Sequence, residues 1–247
     1  MIYITGDTHG NIKRFSSSNF PEGKELSKND VVIQLGDFGI LWNPPYSDEE
    51  VYWMMWLAKK PWTTLVVPGN HENHDTIESL PITEKWGGKV YEYFSDVAID
   101  SIYFAIPGEI YTIENKTFLA IPKALSIDKE YRVEGKSWWR NELLSIQEEN
   151  NVLDNLDKMN WEVDYVISHT APEDVLYQVV ENIFHDSKYK DPVSKFLYHI
   201  SKTLKFKWWG FGHFHKDINF EHIGNKYSCF YYTLCSLDEI LEENYER

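Results

Sequence analysis

The chain has 247 residues, room for one large domain with a sizeable core or at most two small ones. With 43% hydrophobic and 26% charged residues it has the composition of an ordinary globule, which excludes disordered, collagen-like and coiled-coil chains. Asp and Glu number 39 against 24 Lys and Arg, and the net charge of −15 argues against duplex nucleic acid or an anionic membrane as a partner.

The opening Met1-Ile2-Tyr3-Ile4-Thr5 has no basic stretch followed by a long apolar one, and no window approaches the ~18 apolar residues of a membrane span. The expected location is the cytoplasm. Ile2 to Thr5 predicts a short buried strand running into Gly6-Asp7-Thr8-His9-Gly10, too rich in glycine to continue it. Val31 to Leu35 is a second β-branched run and ends on Gly36-Asp37-Phe38-Gly39. Ser47-Asp48-Glu49-Glu50 forms a capping box that starts a helix through Val51, Met54, Met55 and Leu57, stopped by Pro61. Its Tyr52, Trp53 and Trp56 are expected to pack that helix rather than to receive a nucleotide base. Thr63 to Val67 predicts a third strand, ending on Pro68-Gly69-Asn70-His71-Glu72.

From about Lys89 to Ile121, alternation around Pro107-Gly108 and Glu114-Asn115-Lys116 predicts antiparallel strands in a second sheet. Ser145 and Glu148 cap a further helix with Val152, Leu153, Leu156 and Met159 on one face. Tyr165 to Ser168 is the next strand and ends on His169-Thr170-Ala171-Pro172; another helix, with Pro192 in its first turn, precedes Trp208-Trp209 and Gly210-Phe211-Gly212-His213-Phe214-His215. Cys229 and Cys235 have no C-x-x-C partner and are expected to be reduced, partly buried thiols. Without a repeat or a dividing linker, residues 1–247 are expected to form one α/β domain.

Ligands of open α/β sheets bind beyond the carboxyl ends of the strands, so loops spread from Asp7 to His215 can meet in space. Asp7, His9, Asp37, Asn70, His169, His213 and His215 are oxygen and imidazole donors without a thiolate, a mixture suited to Mn, Fe or Zn, Mn first. They are too many for one tetrahedral ion. Two divalent ions about 3.5–4 Å apart, bridged by Asp37, would use them all and leave room for water and a phosphate oxygen. One histidine near a strand end is more often structural, and Asp after Gly is a routine turn former; recurrence at five strand ends shifts the balance. The pairs Asp7/His9 and His213/His215 would each face one side if they stayed extended. His74, His185, His199 and His222 lack this placement and are expected on the surface or in the core.

These motifs, Asp7-Thr8-His9, Gly36-Asp37, Gly69-Asn70-His71, His169 and Gly212-His213-Phe214-His215, in this order and over most of the chain, resemble those of the calcineurin-like metallophosphoesterase superfamily. The resemblance implies a four-layer αββα sandwich of two mixed β-sheets flanked by helices. It also implies one metal at Asp7, His9, Asp37 and His215, another at Asp37, Asn70, His169 and His213, and His71 left free for catalysis. The implied activity is hydrolysis of a phosphate mono- or diester of a small molecule or nucleotide, by direct attack of a water that bridges the metals. Two divalent ions contribute about +4 against −2 from Asp7 and Asp37, so the site can attract a phosphate dianion into an acidic protein.

Ser/Thr protein phosphatases share the asparagine motif, but their second motif carries a phosphate-clamping arginine, and Gly36-Asp37-Phe38-Gly39-Ile40-Leu41-Trp42 has none. The chain is more similar to small bacterial and phage phosphoesterases with a segment like Ser126-Ile127-Asp128-Lys129-Glu130-Tyr131-Arg132, followed by Gly135-Lys136-Ser137-Trp138-Trp139 and Glu142. Pro122-Lys123-Ala124 stands where those relatives often have Gly-Gly-Ala. Lys129 and Arg132 are the candidate substrate-binding residues, since Lys123, Lys129, Arg132 and Lys136 concentrate positive charge beside two tryptophans. Equally open is a surface loop in which Arg132 pairs with Glu130 or Glu134 and the tryptophans fill core. A metal-dependent nuclease would use the same ions but needs a basic track, and a metal-free interaction scaffold has no need of so many ligands.

Overall fold

The computed structural model describes residues 1–42, 44–95, 98–180 and 190–242. Three short strands open the chain, β1 (Ile2–Thr5), β2 (Val31–Gln34) and β3 (Thr63–Val66), with α1 (Asp48–Ala58) between the last two. The Ser47 hydroxyl accepts from the Glu50 N–H while the Glu50 carboxylate accepts from the Ser47 N–H, so the predicted capping box forms. After α2 (His74–Glu78) come β4 (Ile82–Lys85), β5 (Gly88–Ser95) and β6 (Ala98–Ala105), then the hairpin β7 (Ile110–Ile113) and β8 (Lys116–Ile121). The reciprocal cap of Ser145 and Glu148 starts α3 (Ile146–Lys158), which leads to β9 (Tyr165–Ser168). Next are α4 (Pro192–Ser201), β10 (Trp208–Phe211), β11 (Ile218–His222), β12 (Asn225–Cys229), β13 (Leu234–Ser236) and α5 (Leu237–Glu242).

Two mixed sheets result, one of seven strands in the order β13-β1-β2-β3-β6-β5-β4 and one of six in the order β11-β12-β10-β9-β8-β7. The run β1-β2-β3-β6 is parallel in the first sheet, as is β8-β9-β10-β12 in the second. Strand alternation assigns the layers. Ile2, Ile4, Val31 and Ile33 meet Phe118, Ala120, Tyr165, Ile167 and Trp208 between the sheets. Tyr3, Val32, Val66 and Phe104 face the other way and pack against Met54 and Leu57 of α1. Leu119, Ile121, Val166, Trp209 and Phe211 do the same under α3 and α4. The two adjacent tryptophans thus serve opposite faces, and each finds a partner for its indole N–H, Trp208 in Ser228 at 2.8 Å and Trp209 in Ser168 at 2.7 Å. A buried indole N–H left unpaired would cost about 1–3 kcal/mol. This is an α/β fold of two sheets flanked by helices.

The segment from Lys89 to Ile121 corrects one expectation. Its strands are antiparallel, but they do not share a second sheet: β5 and β6 extend the first sheet, and only β7 and β8 lie in the second. Alternation reports which face of a strand is buried, not which sheet the strand joins. The change of sheet comes at Pro107-Gly108, where a Cβ on Gly108 would lie 2.6 Å from the Val152 nitrogen of α3, so only glycine lets chain and helix approach. Glu114-Asn115 is the two-residue hairpin turn, with both residues left-handed (φ 51° and 60°). Among the described residues, no helix is long and apolar enough to cross a membrane, and both cysteines are free thiols, Cys229 buried and Cys235 partly so.

Candidate metal centre

The loops that follow β1, β2, β3, β9 and β10 are tied together first through their backbones. The Thr8 and His9 N–H groups donate to the Asp37 carbonyl at 3.1 and 2.7 Å, and the Gly212 N–H donates to the His169 carbonyl at 3.0 Å. Two motif glycines are required by what lies against them. A Cβ on Gly36 would fall 2.0 Å from His169 Nδ1, and one on Gly212 would fall 2.3 Å from Asp7 Oδ1. His9, Asp37, His213 and His215 all adopt the left-handed region, at φ 45°, 49°, 71° and 53°. Such backbone strain, at about 1–3 kcal/mol per residue, collects where side chains are aimed at a function.

Two groups of ligand atoms form, each gathered within 4.8 Å: Asp7, His9, Asp37 and His215, and Asp37, His169 and His213. Asn70 adds Oδ1 to the second group, 3.0 Å from His169 Nε2. The turned backbone separates His213 and His215 between the groups, whereas an extended pair would have stayed on one side. Asp37 belongs to both, its Oδ2 lying 3.8 Å from His9 Nε2 and its Oδ1 3.2 Å from His169 Nε2. Asp7, Asp37, Asn70 and His169 are buried, while His9 and His215 stand at the solvent side with His215 stacked on Tyr231.

The chemistry of these donors fits cations. The Leu35 carbonyl lies 2.8 Å from His169 Nδ1 and can only accept, so that nitrogen carries a proton; without a cation Nε2 carries a second one, held by Asp37, and a bound cation would take its place. His169 Nε2 faces two acceptors, Asn70 Oδ1 and Asp37 Oδ1, and His9 Nε2 lies 2.9 Å from His215 Nε2. Asp7 Oδ2 is buried without a hydrogen-bond partner, 3.3 Å from His215 Nε2. Oxygen and imidazole groups converging in this way are stable around positive charge, a proton or a metal ion. Burial pushes the Asp7 carboxyl up to about 7. Burial works against protonation of His169, but the Asp37 carboxylate overrides it and pulls His169 upward, and the same pairing draws Asp37 downward despite burial. Burial also lowers His9 to about 4 and His213 to about 3, keeping both imidazoles in the neutral form that binds metal.

His71 joins neither group. Its N–H donates to Asp37 Oδ1 at 2.8 Å, and its Nε2 accepts from Arg132 Nη2 at 2.9 Å. Burial lowers its proton affinity against the pull of Asp37, and Arg132 lowers it further. Arg132 finds its acid partner in Asp128, at 2.7 Å, rather than in Glu130 or Glu134; Glu134 pairs with Arg140. Lys129 is engaged by the buried Glu142 at 2.7 Å and lies over the Trp138 ring, while the buried Trp139 packs on Trp42. Lys123 is held between Glu78 and Glu148. Trp53 and Trp56 pack against the core beneath α1.

Several supporting residues carry no motif. Glu72 accepts from the Phe38 N–H and, at 2.7 Å, from the Gly69 N–H, tying two ligand loops; burial and the nearby Asp37 push its carboxyl up to about 8. Arg14 donates to the Asp7 carbonyl at 2.7 Å and to the Tyr231 carbonyl. His74 is a core residue bonded to the Gly69 carbonyl, His199 is exposed, His222 bonds Tyr177 and Asp174, and His185 lies outside the described residues. An acidic residue directly after the asparagine motif is the available sequence signal for Glu72; nothing local marks Arg14.

A family model described as calcineurin-like phosphoesterase matches residues 1–217. Among solved structures, the chain is similar to a phosphopantetheinyl hydrolase from Mycobacterium tuberculosis, at 12% identity over 93% of this chain and 89% of that one, with a TM-score of 0.42. No curated protein matches the chain.

Proposed function

This chain belongs to the calcineurin-like phosphoesterase family and is a metal-dependent phosphoric ester hydrolase, and we propose that it acts as one domain holding two divalent ions that share Asp37. Mn stands before Fe and Zn for the mixed oxygen and imidazole donors. The observation that carries this reading is the division of the Asp37 carboxylate, one oxygen toward His9 and the other toward His169. Asp7, His9 and His215 would complete one ligand set, and Asn70, His169 and His213 the other. When bound, such ions supply Lewis acidity and lower the pKa of water.

His71 sits beside the second set, and once a phosphate displaces Arg132 from its Nε2 and the anion raises its proton affinity, it supplies an N–H to the charge that develops on the phosphoryl group and to the departing oxygen. The guanidinium of Arg132 is anchored through Asp128 and the Ser137 carbonyl, with Nη2 turned to His71. A phosphate entering between them gives the guanidinium an anion to bind in place of a neutral imidazole. Lys129 is held at Glu142, whereas Arg132 already touches His71, so Arg132 carries the substrate contact.

The substrate class is a small phosphate ester or nucleotide. Arg14, Lys123, Lys129, Arg132 and Arg140 each already have an acidic or carbonyl partner, which favours a compact ester over the polyanionic strand that a nuclease grips. The test is Mn-reconstituted protein assayed side by side on a phosphomonoester, a phosphodiester, cyclic nucleotides and single-stranded DNA. Turnover of small esters is expected; turnover of DNA alone establishes the nuclease instead.

A further inference from the structure

We propose that Ser126 and Glu142 are positioning residues that decide which end of the Asn70 amide faces the metal ligands, an inference that rests on the reading of Asn70 as a ligand. The Asn70 Nδ2 group lies 3.0 Å from Ser126 Oγ, which lies 2.7 Å from Glu142 Oε2, and the Ser126 N–H donates to Glu142 Oε1 at 3.0 Å. All three residues are buried.

Proton counting gives this chain a direction. The Glu142 carboxylate, paired with the Lys129 ammonium, only accepts, so the single hydroxyl proton of Ser126 goes to it. Ser126 Oγ is left with lone pairs and must receive its other bond from a donor. Of the two ends of the Asn70 amide, only Nδ2 is one. Oδ1 is therefore turned to His169 Nε2, where an oxygen can bind a cation and an amino group could not. A flipped amide would set Asn70 Oδ1 against an oxygen with no proton to give, a buried mismatch of about 1–3 kcal/mol. The segment beyond β8 thus reaches the metal centre through side chains, and Lys129 acts in it by neutralising Glu142.

Neutron diffraction from deuterated, metal-free protein locates the Asn70 deuterons directly. They should lie toward Ser126; deuterons toward His169 overturn the proposal. Calorimetric titration with Mn²⁺ supplies the second readout. Ser126→Ala removes the acceptor, and Glu142→Gln allows the chain to run in either direction, since its amide can donate to Ser126. Each should weaken the ion held by Asn70, His169 and His213 by about 10–100-fold, the usual loss for a removed supporting contact. The ion at His9 and His215 should be unaffected, and Ser126→Thr should keep both affinities. Unchanged affinities in Ser126→Ala, or equal weakening of both ions, overturns the positioning role. If wild-type protein takes up one ion, the dinuclear reading fails, while the neutron result still decides the orientation of Asn70.

Discussion

The loops at the strand ends and the segment from Ser126 to Glu142 build the same centre by different means. Asp7, Asp37, Asn70, His169 and His213 are delivered by short turns leaving parallel strands, and the turns are fixed by backbone bonds between loops. The segment holds its position through side chains, Ser126 on Asn70, Lys129 on Glu142 and Arg132 on Asp128 and His71. A turn packed against another turn tolerates no added atom, so it leaves glycine beside Asp7, Asp37, Asn70 and His213. A segment held by side chains tolerates backbone change.

That contrast can be broken with two glycines. In Gly36→Ala the new methyl would collide with His169 at a position where φ is +91°, so loss of the ion at His169 and nearly all activity is expected, read by metal content and rate. In Gly135→Ala, at φ +72° with nothing within 4 Å of the new Cβ, the melting temperature should fall by the equivalent of about 1–2 kcal/mol and kcat/KM should hold. Equal damage from both would erase the distinction.

A smaller effect separates His71, on the loop after β3, from the ligands beside it. His71→Ala should keep its metals and slow an alkyl phosphoester by about 10²–10⁴-fold, because a basic leaving oxygen needs the proton. A p-nitrophenyl ester should lose far less. Equal losses on both esters would leave His71 a purely electrostatic role, and a lost ion would make it a ligand.

The smallest change is expected in the segment itself. Arg132→Ala removes a charged hydrogen bond worth about 1.5–3 kcal/mol and should raise KM by about 10- to 100-fold with metal content intact. Unchanged kinetics with reduced thermal stability would confine Arg132 to its pair with Asp128.

The same contrast explains what could be read from the sequence. The strand ends were legible because each places a donor at the end of an apolar run, next to a glycine at Asp7, Asp37, Asn70 and His213 and ahead of Pro172 at His169. The helix starts at Ser47 and Ser145 were legible because their capping boxes are local. The sheet membership of β5 and β6 was not, since the turn to the second sheet at Gly108 depends on contact with α3. Nor were the partners of Asn70, Arg132 and Lys129. Ser126 lies 56 residues from Asn70, and His71 lies 61 from Arg132, separations that no periodicity records. Phe38 and Gly69 both donate to Glu72, which joins two motifs without belonging to either.

The division of Asp37 between two ligand sets is tested most directly by counting metal. Mn-loaded, dialysed protein analysed for elemental content should hold two ions per chain, His9→Ala should retain the ion at His169, and Asp37→Asn should lose both together with activity. One ion in the wild type, or equal losses for Asp37→Asn, His9→Ala and His169→Ala, would contradict a carboxylate shared between two metals.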